Sequence, residues 1–268
     1  MLIMNSAFVF PGQGSQIVGM GKILFNNFDV AKNVFDEVDD ALSFDLSKII
    51  FEGSDELLMQ TENTQPALMA TSIAAIRVIE NLSGRKYENI ATISAGHSLG
   101  QYSALCAAGS IDLKTCASLL KFRGKFMQES APDKKGSMAA VIGCDRDLLD
   151  KIIREASNFG SIQIANDNSK DQVVLSGEES AIDFAIALLK DNGAKAIKLK
   201  VSAAFHSALM QNAAEKMREI LHNTKIEKPN VPVIDNISLE ILDNSDEIKQ
   251  NLVLQIPSAV RWRETMDI

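Results

Sequence analysis

The chain is poor in the residues that disulfide, metal and redox chemistry draw on. It has three cysteines, Cys106, Cys116 and Cys144, all in apolar helix-like or strand-like patterns, and no Cys-x-x-Cys pair. An odd, unclustered set excludes a disulfide framework and reads as reduced structural thiols of a cytoplasmic protein. Three histidines without a clustered Cys/His pattern offer no metal site. No basic arm and no aromatic-basic interleaving occur, and the net charge is −8. Those absences exclude nucleic acid as a partner. No apolar run is long enough to span a bilayer. The start, "MLIMNSAFVFPGQG", lacks both a basic n-region and an A-x-A site, so no signal peptide is expected. Internal repeats and low-complexity tracts are missing too.

What is present is 268 residues, 46% of them hydrophobic. That suffices for one large domain with a real core, or a large domain carrying a smaller one. Ala7–Phe10 reads as a short buried strand ended by Pro11-Gly12. Helical patterns follow over Asp29–Ser43 and Thr64–Leu82, then a strand over Ile90–Ser94. Strands alternating with helices predict an α/β fold with a largely parallel sheet. From Gly136 the rhythm changes. "SMAAVIGC", "SIQIAN", "QVVLSG" and "KAIKLKV" read as strands, and "DRDLLDKIIREASN" and "EESAIDFAIALLKDN" as helices. This βαββαβ order is the ferredoxin-like pattern. It predicts a small domain at 132–200 inserted into a large domain, α/β-hydrolase-like with a parallel sheet, made of 1–131 and 201–268.

The stretch "ATISAGHSLGQYSA" sets Ser98 between Gly96 and Gly100, after a strand-like run and before a helix-like one over Leu99–Ala108. This is the Gly-x-Ser-x-Gly elbow that serves acyl transfer. The helix start adds N–H groups and partial positive charge, which suit a forming alkoxide and a tetrahedral oxyanion. A tight turn with a serine N-cap would look the same in sequence. A serine hydroxyl needs a base. His97 adjoins Ser98, and at an elbow its ring would point away. His222, in "EILHNTKIEKP", sits at a helix end and complements the dipole. His206, in "VSAAFHSA", stands at a second strand-to-helix junction and is the best base by position; an N-cap or core imidazole is the plainer alternative. The glycine-rich turn "FPGQGSQIVGMG" is neither Gly-x-Gly-x-x-Gly nor a Walker motif, but it can bring a backbone N–H near Ser98.

In "IDLKTCASLLKFRGKFMQE", Asp112 is the expected N-cap. Cys116, Leu120 and Met127 form an apolar stripe, and Arg123 falls on it, while Lys114, Lys121 and Lys125 share another face. A buried arginine needs a partner, either a protein carboxylate or a ligand.

The segments "FVFPGQGSQ", "TQPALMATSIAA", "GHSLGQYSALCAAGS", "RGKFMQE", "ANDNSKDQVVLSG", "VSAAFHSALM" and "PSAVRW" together resemble the malonyl-CoA:acyl carrier protein transacylases of bacterial fatty-acid synthesis. They keep that family's order across nearly the whole chain. The resemblance implies Ser98 as nucleophile and His206 as base. It implies the N–H groups of Gln13 and Leu99 as oxyanion hole and Arg123 as holder of the malonyl carboxylate. Gln255, in "NLVLQIPSAVRW", is implied to orient the histidine through its main-chain carbonyl, with Asn166 and the Gln13 side chain as further pocket lining. The implied activity transfers malonyl from malonyl-CoA to acyl carrier protein without cofactor or metal, in a cytoplasmic monomer with no nucleic-acid or membrane partner. Fatty-acid and polyketide supply share this chemistry; a serine esterase and a non-catalytic CoA or carrier-protein docking module are the rival readings. Two departures stand out. Gln101 replaces the glutamate common after the elbow, and the family continues past "RWRETMDI" with a further strand and helix around a Gly-Pro-Gly turn. Lys190, Lys195, Lys198 and Lys200 are candidates for contact with an acidic carrier protein.

Overall fold

The computed structural model describes residues 6–130, 136–201 and 203–268, so the expected boundary at 131/132 lies outside the described residues. The strands are β1 (Ala7–Phe10), β2 (Ile93–Gly96), β3 (Gly136–Ile142), β4 (Ile162–Asp167), β5 (Gln172–Glu178), β6 (Lys195–Lys198), β7 (Val233–Ile234) and β8 (Ile241–Leu242). They fall into two compact units, Met1–Lys125 with Ile220–Lys249, and Phe126–Glu219 with Gln250–Ile268.

The first unit is built on a mixed sheet in the order β1-β2-β7-β8. β1 and β2 run parallel, Ala7 opposite Ile93 and Phe10 opposite Gly96; β7 continues parallel and β8 turns back antiparallel. β2 begins later than the Ile90–Ser94 expected from the sequence. The N–H groups of Ile90 and Ala91 both donate to Tyr87 O, closing a 3-10 turn over Tyr87–Asn89, so they are not available to a ladder. The Asp29–Leu42 helix buries Ala31, Val34, Phe35 and Val38, one apolar stripe at helical spacing. The Thr61–Ser83 helix is buried along most of its length, polar Thr64 and Gln65 included.

The second unit holds the other sheet, antiparallel throughout, in the order β4-β5-β3-β6. Helices Arg146–Ala156 and Glu179–Asp191 supply Leu149, Ile152, Ile182 and Leu189 to a core shared with Val141 and Leu175. The sequence-based division assigned 201–268 to the large domain. By packing, 201–219 and 250–268 group with the antiparallel sheet instead. Val260 bridges to Asn166 on the β4 edge, through Asp167 N–H to Val260 O and Val260 N–H to Ala165 O, each 2.8–2.9 Å. Asp167 also accepts from Arg146 and, at 2.9 Å, from Arg263 Nη2. Backbone pairing and the Arg263–Asp167 ion pair hold the 250–268 segment to β4, while Arg146 ties its own helix to the same carboxylate. Among the described residues no helix is long and apolar enough to cross a membrane.

Candidate functional site

The elbow forms because β1 and β2 end side by side. His97 N–H donates to Phe10 O at 3.0 Å, and the chain turns at once into the Gly100–Ala107 helix. A Cβ on Gly96 would lie 1.9 Å from the Gly100 carbonyl group, and one on Gly100 would lie 2.4 Å from Phe10 O. No side chain fits at either place, which explains the bare flanks of Ser98. Ser98 itself is buried and sits at φ 54°, in the left-handed region. A non-glycine residue there is strained by about 1–3 kcal/mol, a cost that clusters at functional positions.

Asn236 and Arg123 both bond to Ser98. Its N–H donates to Asn236 Oδ1 at 2.9 Å, and its Oγ accepts from Arg123 Nη2 at 3.1 Å. Arg123 is 1% exposed, donates from Nη1 to Gln65 Oε1 at 2.9 Å, and lies 5.6 Å from the centroid of the Tyr102 ring. Burial pulls the guanidinium below its ordinary value while Tyr102 raises it; an arginine stays protonated under such conditions. Burial, offset by Arg123, pushes the Tyr102 phenol up to about 12. Arg123 thus meets neutral oxygens of Gln65 and Ser98. Lys121, on the outer face of the same helix, pairs with Glu62 at 3.3 Å. Asp112 accepts from Thr115 N–H at 2.9 Å, as an N-cap does. Leu99, at φ −54°, is the first residue in helical conformation, so its N–H belongs to the helix start. Half-buried Gln13 follows Phe10 by three residues, on the turn leaving β1.

Beneath the elbow lies a buried polar group that the sequence did not announce. Gln101 donates from Nε2 to Asp235 Oδ1 at 2.6 Å and accepts from Asn236 N–H at 3.2 Å. Asp235 Oδ2 also accepts from the N–H groups of Ile237 and Ser238, at 2.9 and 2.7 Å. All three side chains, Gln101, Asp235 and Asn236, are fully buried. The signal available in sequence was the polar pair following the short apolar run "PVI", at a carboxyl strand end where open α/β sheets place functional groups. Gln101→Glu is expected to weaken the fold at neutral pH, because two carboxylates would meet across the 2.6 Å contact and have to share a proton. The new carboxyl group is then held above the ordinary value of about 4.3. Its destabilising effect is absent below that value, where folded and unfolded chains both carry the proton, and grows as pH rises. Melting curves of variant and parent should converge in acid and separate toward neutrality; parallel behaviour would refute the contact.

In the second unit His206 is the centre. It is buried and sits at φ 55°. Its Nδ1 faces Gln255 O at 3.0 Å and Ser258 O at 3.1 Å. Two carbonyl acceptors select the tautomer protonated at Nδ1 and leave Nε2 with its lone pair, the form a general base requires. Asn166 is buried on β4, beside the register irregularity at Ile164/Asn166. The other histidines stand elsewhere. His97 lies against Gly12, and His222 is an exposed helix end whose carbonyl accepts from Lys249 Nζ. The first unit thus gathers Ser98, Leu99, Gln13 and Arg123, together with Gln65 and Asn236, which sequence reasoning missed. His206, Gln255 and Asn166 belong to the second, with Ser258 and Gln163 likewise missed.

The family model described as acyl transferase domain matches residues 7–267. The malonyl CoA-acyl carrier protein transacylase of Bacillus subtilis (strain 168) is 44% identical over 263 residues, 97% of this chain and 81% of that protein. The crystal structure of an acyl-carrier-protein-S-malonyltransferase from Bartonella henselae is 49% identical, covers 98% of this chain with 84% of its own, and has a TM-score of 0.96. A malonyl-transacylase solved in complex with a type II PKS acyl-carrier protein is 40% identical, with coverage of 98% and 84% and a TM-score of 0.94. Similarity of this extent over nearly the whole length makes the chain an acyltransferase: it belongs to the acyl transferase domain family, among the malonyl CoA-acyl carrier protein transacylases.

Proposed function

We propose that the enzyme moves a malonyl group from malonyl-CoA to the phosphopantetheine thiol of an acyl carrier protein, by a ping-pong route through a malonyl-serine ester, supplying fatty-acid elongation. The observation that carries this reading is the buried Arg123 guanidinium donating to the Ser98 hydroxyl at 3.1 Å. A permanent cation beside the nucleophile suits an acyl group that itself ends in a carboxylate. His206 Nε2 takes the Ser98 proton as Oγ attacks the thioester carbonyl. The N–H groups of Gln13 and Leu99 receive the oxyanion; losing one such donor typically costs about 10²–10³ in rate. The C–S bond breaks and CoA leaves with the proton from His206. The carrier thiol then gives its proton to His206 and attacks the ester, and Ser98 recovers the proton as the malonyl thioester departs. Arg123 grips the malonyl carboxylate, the Gln13 side chain and Asn166 line the acyl pocket, and Gln255 O orients the imidazole. One thioester replaces another, so the reaction is nearly balanced and needs neither cofactor nor metal.

An α/β-hydrolase-like domain carrying a ferredoxin-like core at 132–200 is our reading of the architecture; the βαββαβ order and the strand sequence β4-β5-β3-β6 support the second part. The protein works as a cytoplasmic monomer. For carrier contact, Lys190, Lys195 and Lys200 are exposed, whereas Lys198 is matched by Glu179 and Asp183 at 2.8 and 2.7 Å. A second reading, supply of a polyketide pathway, is favoured by the relative solved with a type II PKS carrier.

Intact-mass measurement after mixing with malonyl-CoA tests the proposal. One malonyl group should appear on the protein and leave on addition of holo carrier protein; comparing carriers of the two pathways ranks the two readings. No adduct points to a docking module, and loss of the adduct to water alone to an esterase. In the same time course His206→Ala should acylate about 10²–10⁴-fold more slowly, the usual worth of a general base, and His222→Ala at the parent rate. Equal losses in the two variants would reject His206 as the base.

A further inference from the structure

We infer that Gln163 is a positioning residue for His206, acting through the backbone on both sides of the imidazole. His206 depends on two loops. One carries the histidine itself, at φ 55°. The other, from Gln255 to Ser258, supplies the two carbonyls that face Nδ1. The Gln163 side chain bonds to both. Its Nε2 donates to His206 O at 3.1 Å and to Pro257 O at 3.2 Å, and its Oε1 accepts from Ala208 N–H at 3.1 Å.

This set of partners requires an amide. Two carbonyls demand two donors and one N–H demands an acceptor, and only one orientation of a glutamine meets all three. A carboxylate would turn an oxygen toward both carbonyls, and an aliphatic chain would leave all three groups unanswered. Gln163 is itself anchored, since it lies on β4 opposite Ser176 of β5, one residue before the Ile164/Asn166 irregularity. The strained histidine turn and its orienting carbonyls are thereby referred to one rigid strand. The left-handed conformation at His206 is the kind that persists only where the surroundings over-determine it; the amide supplies two of those restraints, at His206 O and Ala208 N–H, and its third bond ties the Pro257 loop to the same strand. Ser207 adds a local one, its Oγ donating to Ala204 O at 2.7 Å.

The inference rests on the reading of His206 as the base, and one experiment separates the two. Full-length enzyme labelled with ¹⁵N-histidine is compared as parent, His206→Ala, Gln163→Leu and Gln163→Glu. In the parent, the Nδ1–H of His206, identified by its loss in His206→Ala, should give an exchange-protected imidazole resonance. Both Gln163 variants should lose that resonance. Both should acylate about 10–100-fold more slowly, by analogy with the loss of an outer partner of a metal-bound imidazole. KM for malonyl-CoA should stay within about twofold, because a positioning loss falls on the chemical step. Gln163→Glu keeps the side-chain shape and the bond to Ala208, so it remains informative where Gln163→Leu folds poorly. A retained resonance, or an unchanged acylation rate in a variant that has lost it, overturns the inference. Full activity of His206→Ala would instead remove the base assignment, while the resonance still reports whether Gln163 holds the ring.

Discussion

Ser98→Ala is expected to take up no malonyl group at all from malonyl-CoA, while keeping the fold. The hydroxyl is the only atom lost, and alanine meets the same strain at φ 54° as serine does. The contacts that shape the corner run through the backbone: Ser98 N–H to Asn236 Oδ1 and His97 N–H to Phe10 O. Both survive the substitution. Without Oγ there is no ester, so the ping-pong route is closed rather than slowed. What remains is direct attack on a bound thioester, aided only by the oxyanion donors and by binding. Turnover should fall by about 10⁴-fold or more, as when a member of a catalytic unit is removed. Intact mass, far-UV circular dichroism and melting temperature read adduct and fold separately. An adduct still formed by a folded Ser98→Ala chain would move the nucleophile to another residue. Binding of malonyl-CoA should persist, because the Arg123 guanidinium proposed to meet the malonyl carboxylate is untouched.

Arg123→Ala is expected to change which acyl group the enzyme accepts. Malonyl differs from acetyl by one carboxylate, and a guanidinium can meet it with two parallel charge-assisted bonds. Each is worth about 1.5–3 kcal/mol, or about ten- to a hundredfold in rate per contact. The buried cation also works against acetyl, which brings no carboxylate to a guanidinium already set against the neutral oxygens of Gln65 and Ser98. Arg123→Ala should therefore lower kcat/KM for malonyl-CoA sharply and leave acetyl-CoA little changed or improved. Arg123→Lys should recover only part of the malonyl rate, because an ammonium lacks the planar fork. If Arg123 serves stability alone, both substrates lose equally and the melting temperature drops. Paired rates and melting curves decide; an unchanged malonyl-to-acetyl ratio in a destabilised protein would assign Arg123 to the fold.

The residues that could be found by reading along the chain share one property: their evidence lies within a few positions. Ser98 is legible because the glycines that clear its surroundings are its near neighbours. Arg123 is legible because a cation on an apolar helical stripe shows against its own periodicity. The antiparallel unit was visible because its strands and helices follow one another without a break. The late start of β2 was hidden, since it depends on a 3-10 turn that takes up Ile90 and Ala91. The groups that hold Ser98, Arg123 and His206 were hidden for a stronger reason. Asn236 is 138 residues from Ser98, Gln65 is 58 from Arg123, and Gln163 is 43 from His206. By itself the sequence determined the family, the βαββαβ order and the residues that could carry the chemistry. Only the tertiary structure decided that 201–219 and 250–268 pack with the antiparallel sheet, which oxygens meet Arg123, and which amides brace Ser98 and His206. Those are hydrogen bonds between segments distant in the chain, and a bond that closes a long loop leaves no period, spacing or composition for a sequence to display.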